Sequence, residues 1–118
     1  MAFQSFEDLD VWKRSCGLAV SVYELTKDWR DYGMKDQMQR CAVSIPSNIA
    51  EGHERRGKDF ARFLRIAKGS AAELRTQIYI SKKIGLIPPD QFNSLLDESK
   101  QISKMLAGLH KAIEDQTD

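Results

Sequence analysis

Five polar side chains, Gln37, Arg40, Ser44, Asn48 and Glu51, recur every three or four positions, the spacing that lines one face of a helix. A serine among charged neighbours is a candidate nucleophile. Yet Ser44 has no nearby histidine to act as its base, and Glu51-Gly52-His53 lacks the Glu-x-x-His spacing of di-iron helical bundles. The row reads instead as a hydrogen-bonded seam between helices that fixes their register. On that reading Asn48→Ala or Glu51→Ala lowers stability by about 1–3 kcal/mol. His53 and His110 lie far apart, and neither Cys16 nor Cys41 has a CxxC partner, so no zinc site is expected. Both histidines are expected at the surface, and both cysteines, placed on apolar helix stripes, are expected to be reduced. Glycine-rich phosphate-binding loops are absent. The chain is therefore read as a non-enzyme with no metal and no cofactor.

The second constellation is electrostatic. Net charge is only +1 over 118 residues, but residues 55–83 hold nine basic and two acidic side chains, while 1–54 and 84–118 each carry a net charge of −3. At 100° per residue, Lys58, Arg62, Arg65, Lys68, Arg75 and Lys82 fall on one flank of a helix, headed by Arg55 and Arg56. A row of one sign can track phosphates by charge alone. Phe60 and Phe63 fall on the apolar side, so contacts to phosphate are expected rather than base stacking, with little sequence specificity. These eight basic residues are the candidate contact set for nucleic acid, structured RNA above all.

Helices must position both constellations. The composition, 42% apolar and 30% charged with three prolines, suits one helical domain. Apolar periodicity predicts helices over about 6–28, 34–54, 58–84 and 89–114. Ser5 is the candidate cap of the first, Gly57 the stop of the second, and Pro88-Pro89-Asp90 the restart of the fourth. Pro46 is expected to kink the second helix by removing the donor to the Ala42 carbonyl. Short joins imply an all-α, antiparallel, up-down-up-down four-helix bundle over residues 1–118. The last residues, 115–118, are expected to fray. No run is apolar enough to span a membrane and the N-terminus does not read as a signal peptide, so a cytoplasmic protein is expected.

The first helix carries two apolar stripes. Leu9, Trp12, Cys16, Ala19, Val20 and Tyr23 are read as the core face; Val11, Leu18, Val22, Leu25 and Trp29, nearly opposite, are read as an outward patch. With Ile66 and Ile80 outside the core arc of the third helix, that patch predicts self-association.

The string Gln37-Met38-Gln39-Arg40-Cys41-Ala42-Val43-Ser44-Ile45-Pro46-Ser47-Asn48-Ile49-Ala50-Glu51-Gly52 resembles the signature of the 23S rRNA intervening-sequence proteins, also called four-helix bundle proteins. Leu9-Asp10-Val11-Trp12 and Phe63-Leu64-Arg65-Ile66-Ala67-Lys68-Gly69-Ser70 with Glu73-Leu74 resemble further blocks of that family. Gln39 and Cys41 depart from it, standing where a second arginine and an alanine are usual. The resemblance implies a homo-oligomeric ring, commonly a pentamer, without catalytic activity, encoded in some bacteria within 23S rRNA genes. A related branch resembles the accessory variability protein of diversity-generating retroelements, whose positively charged surface meets nucleic acid and a reverse transcriptase. Two functions follow: an oligomeric RNA-binding bundle, or a scaffold ring that docks a partner protein such as a reverse transcriptase.

Overall fold

The computed structural model of the chain describes residues 5–116. A short 3-10 turn, Phe6–Asp8, precedes four helices: α1 (Asp10–Thr26), α2 (Tyr32–Arg55), α3 (Gly57–Lys83) and α4 (Pro89–Gln116). Among the described residues there are no strands. Ser5 caps the 3-10 turn rather than α1, its Oγ accepting from the Glu7 amide. Asp31, the last residue of the join between α1 and α2, caps α2 by accepting from the Met34 amide. Residues 115 and 116, expected to fray, continue α4; Thr117 and Asp118 lie outside the described residues.

The joins hold five, one and five residues. Helices of this length cannot run end to end in a molecule measuring 47 × 19 × 19 Å, so each turns back along the one before. Contacts between neighbours accordingly run in opposite sequence directions. α2 meets α3 at Met38–Ser81, Cys41–Ser70 and His53–Phe60, and α3 meets α4 at Tyr79–Phe92, Arg75–Ser103 and Arg65–His110. α1 closes the bundle against α2 and α4; among the described residues it does not contact α3, which lies diagonally across.

The core follows the helical period on three helices. α2 contributes Met38, Cys41, Ala42, Ile45 and Ile49; α3 contributes Phe60, Leu64, Ala67, Ala71, Leu74 and Ile78; α4 contributes Leu95, Leu96, Ile102, Leu106 and Ile113. Gly52 is fixed by close approach: a Cβ there would sit 2.7 Å from Phe63 Cβ and 3.1 Å from Phe60 Cδ1, so α2 and α3 can converge at their corner only without a side chain. Gly57, expected to end α2, instead opens α3, with Arg56 as the single linking residue at φ 64°.

On α1 the structure reverses the sequence assignment. Val11, Leu18 and Val22 are buried, and Leu25 and Trp29 pack against the core, so the five residues assigned to an outward oligomer patch form the inner face. Of the stripe assigned to the core, Leu9 and Ala19 are buried, Trp12 and Cys16 are partly covered, and Val20 and Tyr23 are exposed. The physical reason lies in Ser15 and Thr26. Each hydroxyl donates to the carbonyl one turn back, Ser15 to Val11 at 2.6 Å and Thr26 to Val22 at 2.8 Å. Self-satisfied in this way, both are wholly buried at little cost, and a stripe that looks interrupted by polar residues is a continuous inner face.

Candidate nucleic-acid interface

The eight basic residues sit at the head of α3 and along its length. Arg55, Arg56, Lys58, Arg62, Arg65 and Lys68 are exposed, and Arg75 and Lys82 are half-buried. At the α2–α3 corner, Arg55 Nε donates to Glu51 Oε2 at 2.7 Å, and both Arg55 and Arg62 reach Asp59 at 3.6 Å. Their guanidinium carbons lie 5.2 and 4.6 Å from the Phe63 ring centroid, so the half-buried Phe63 carries a cation–π contact to each. The hydrogen bond from Arg55 to Glu51, and the charge of that carboxylate, push the Arg55 pKa above its ordinary value. Further along, the row turns toward α4: Arg65 Nη1 lies 3.5 Å from His110 Nε2, Arg75 Nη1 donates to Ser103 Oγ at 3.4 Å, and Lys82 Nζ lies 4.8 Å from the centre of the Phe92 ring. Among the described residues, only Arg55 and Arg62 of the eight pair with carboxylates. The flank keeps most of its positive charge open to solvent.

The polar row of α2 is not an inter-helix seam. Glu51 is committed to Arg55 four residues on, and Arg40, largely exposed, to Asp36 four residues back. Ser44 Oγ donates to the Cys41 carbonyl and Asn48 Nδ2 to the Ser44 carbonyl, both at 2.7 Å. These bonds stay within α2, on carbonyls flanking the one that Pro46 leaves without its donor. Gln37 is exposed at the rim of a groove of about 270 Å³ shared with Arg40, Ser44, Ser70, Glu73 and Gln77. The side chains that do carry polarity into the bundle are Ser15, Thr26, His53, Gln77, Ser81 and Ser99. Of these, Ser81 falls on the apolar stripe of α3 by helical spacing; the others gave no sequence signal.

His53, expected at the surface, is 3% exposed and meets Phe60 edge-on with ring centroids 5.5 Å apart. The close approach at Gly52 draws it under α3. His110 is half-buried beside Arg65 and Glu114. Both cysteines are free thiols. Cys41 donates to the Ser70 carbonyl at 3.0 Å, and burial, reinforced by the Glu73 charge, pushes its pKa up to about 11. A thiol held protonated is no nucleophile at neutral pH. Among the described residues no group of three or more His, Cys, Asp or Glu side chains is placed to hold a metal ion, and no helix is long and apolar enough to cross a membrane.

An elongated four-helix bundle with one basic flank, its α2–α3 corner closed over a glycine, defines a class of small helical proteins. The chain belongs to the 23S rRNA-intervening sequence protein family, whose model matches residues 7–108. Among solved structures, a protein of unknown function from the S23 ribosomal protein family of Bacteroides thetaiotaomicron is similar at a TM-score of 0.80 and 26% identity, over 86% of this chain and 98% of that one. No curated protein matches the sequence.

Proposed function

We propose that the protein is a non-enzymatic, oligomeric nucleic-acid-binding bundle that takes structured RNA on the basic flank of α3, with a pentameric ring as its assembly. The observation that carries this reading is the exposed row Lys58, Arg65 and Lys68, which among the described residues make no ion pair with a carboxylate, beside the partly compensated Arg55 and Arg62. Half-buried Arg75 and Lys82 extend the row toward α4. The contacts are to phosphate, because Phe60 is buried and Phe63 is covered by two guanidinium groups, which leaves neither ring open to a base.

Reversing Arg62, Arg65 and Lys68 to glutamate is expected to abolish retention of structured RNA in a filter-binding assay while leaving the helical circular-dichroism signal unchanged. For six to ten phosphate contacts, affinity is expected to fall by roughly 10³–10⁵ between 50 and 200 mM salt. Wild-type protein that retains no RNA or DNA at low salt overturns the reading. A co-purifying protein that survives nuclease treatment favours the scaffold function instead.

A further inference from the structure

The groove of about 270 Å³ between α2 and α3 holds hydrogen-bond acceptors that the protein itself does not use. Its walls include Arg40, Cys41 and Ser44 of α2 and Ser70, Glu73 and Gln77 of α3. Gln77 is 8% exposed, yet its Oε1 has no hydrogen-bond partner among the described residues. Leaving a buried acceptor without a donor is costly, and the groove is the side from which a donor can reach it. Glu73 stands one turn before Gln77 on the same flank of α3, exposed and, among the described residues, without an ion pair. Its charge is felt at Cys41 across the groove, where it reinforces the burial that keeps the thiol protonated. Ser44 spends its hydroxyl proton on the Cys41 carbonyl, which leaves its oxygen able to accept. Arg40, the cation at the rim, is paired with Asp36 and its side chain is 80% exposed, so it does not neutralise Glu73.

We infer that this groove binds a small organic cation with a forked N–H head, a free guanidinium compound. A carboxylate and an amide oxygen one helical turn apart call for a ligand that donates twice and carries positive charge. A guanidinium does both: it is planar, always charged, and presents several N–H donors in a fixed fork, so one edge serves Glu73 while another meets Gln77 Oε1. An ammonium, a compact point charge on a single atom, reaches one of the two acceptors at a time. An anion is disfavoured by the Glu73 charge. The groove is smaller than the roughly 300–1,000 Å³ of sites for drug-sized ligands, which suits a guanidinium head on a short chain and leaves no room for a peptide backbone beside it. The site is independent of the RNA reading, because Arg65, Arg75 and Lys82 turn toward α4 whereas this groove opens on the α2 side of α3.

The probe is n-propylguanidinium, titrated into the labelled wild-type chain and followed by the amide shifts of residues 37–44 and 70–77. Saturable shifts confined to those segments are expected, with a dissociation constant on the order of 1 mM for so small a ligand. Glu73→Gln, at an exposed position, is expected to abolish them. Gln77→Met keeps the length of the side chain and removes the unpartnered acceptor; it is expected to weaken binding by roughly tenfold, the loss of one hydrogen bond to a charged group, while leaving the melting temperature unchanged or higher. Urea, which has the same fork without the charge, is expected to give no saturable shift, and n-propylammonium a weaker one. No saturable shift in these segments with n-propylguanidinium, equal binding of urea, or full binding by either variant overturns the proposal. Tighter binding of an arginine blocked at both ends overturns the assignment to a free ligand and gives the groove to a protein side chain.

Discussion

At the scale of single residues, Gly52 and Cys41 are the positions where geometry sets the chemistry. Gly52→Ala forces a methyl group to within 2.7 Å of Phe63 Cβ and 3.3 Å of the Phe60 carbonyl, and neither backbone nor Cβ can swing aside as a flexible side chain would. Overpacking of this kind is expected to cost about 1–3 kcal/mol, read as a lower denaturant midpoint at unchanged slope. Cys41 makes a pH-dependent prediction. Its folded pKa of about 11 lies above that of an unfolded thiol, so below about pH 9 both states hold the proton and stability is unaffected. Between about pH 9 and 11 the unfolded thiol ionises first, and stability is expected to fall as pH rises. A Cys41→Ala chain, compared by urea titration across that window, is expected to lose this part of the slope. Glu51, by contrast, makes an exposed ion pair with Arg55, and Glu51→Ala is expected to change stability by less than about 1 kcal/mol, in place of the larger loss a buried seam implied.

Helices respond as units, and α1 is the one whose orientation sequence periodicity misassigns. Leu18→Glu with Val22→Glu puts two carboxylates into positions that are 3% and 0% exposed. The double variant is expected to lose its cooperative thermal transition rather than to form a folded monomer, since an unpaired buried charge costs several kcal/mol. Val20→Glu/Tyr23→Glu on the opposite face is expected to keep the helical fold. At the α2–α3 corner, Arg56 holds φ 64° and ψ 176°, a region suited to glycine and costly for a residue with a Cβ. Arg56→Gly relieves that strain and is expected to raise the melting temperature, with a gain of about 1 kcal/mol. Losing one of eight basic groups, it is also expected to weaken RNA binding only slightly, which separates corner geometry from charge.

Over the whole molecule the four joints are unequal. α2 and α3 are linked through one residue and closed over Gly52, whereas α1 and α4 leave between them a cleft of about 700 Å³ lined by Gly17, Ser21, Ser94, Asp97 and Gln101 and bridged by the Arg14–Glu98 ion pair. Arg14 Nε donates to Glu98 Oε2 at 3.0 Å, a bidentate contact made partly exposed to water. Local opening follows the joint with the fewest buried apolar contacts. Amide exchange is therefore expected to be fastest along α1 and slowest in the central turns of α2 and α3, and Arg14→Ala is expected to widen that difference.

Helix number, order and approximate ends were determined by the sequence, because period, caps and prolines act over a turn or two and need no partner. The core stripes of α2, α3 and α4 were legible for the same reason: on each of those helices one apolar stripe is continuous, Ile66 and Ile80 of α3 lying outside it. The basic flank was legible too, since charge placed every three or four residues along one helix stays on one side of it in any fold. The inner face of α1 was decided by tertiary structure alone. Two apolar stripes compete there, and the choice turns on whether Ser15 and Thr26 can be buried, which depends on hydroxyl bonds to Val11 and Val22 that composition does not reveal. The polar row of α2 was likewise decided by packing, because spacing shows that the side chains share a flank but not whether that flank meets a helix or water. Burial of His53 belongs with them: it follows from how closely Gly52 lets α2 approach α3, a distance set between elements and not within either.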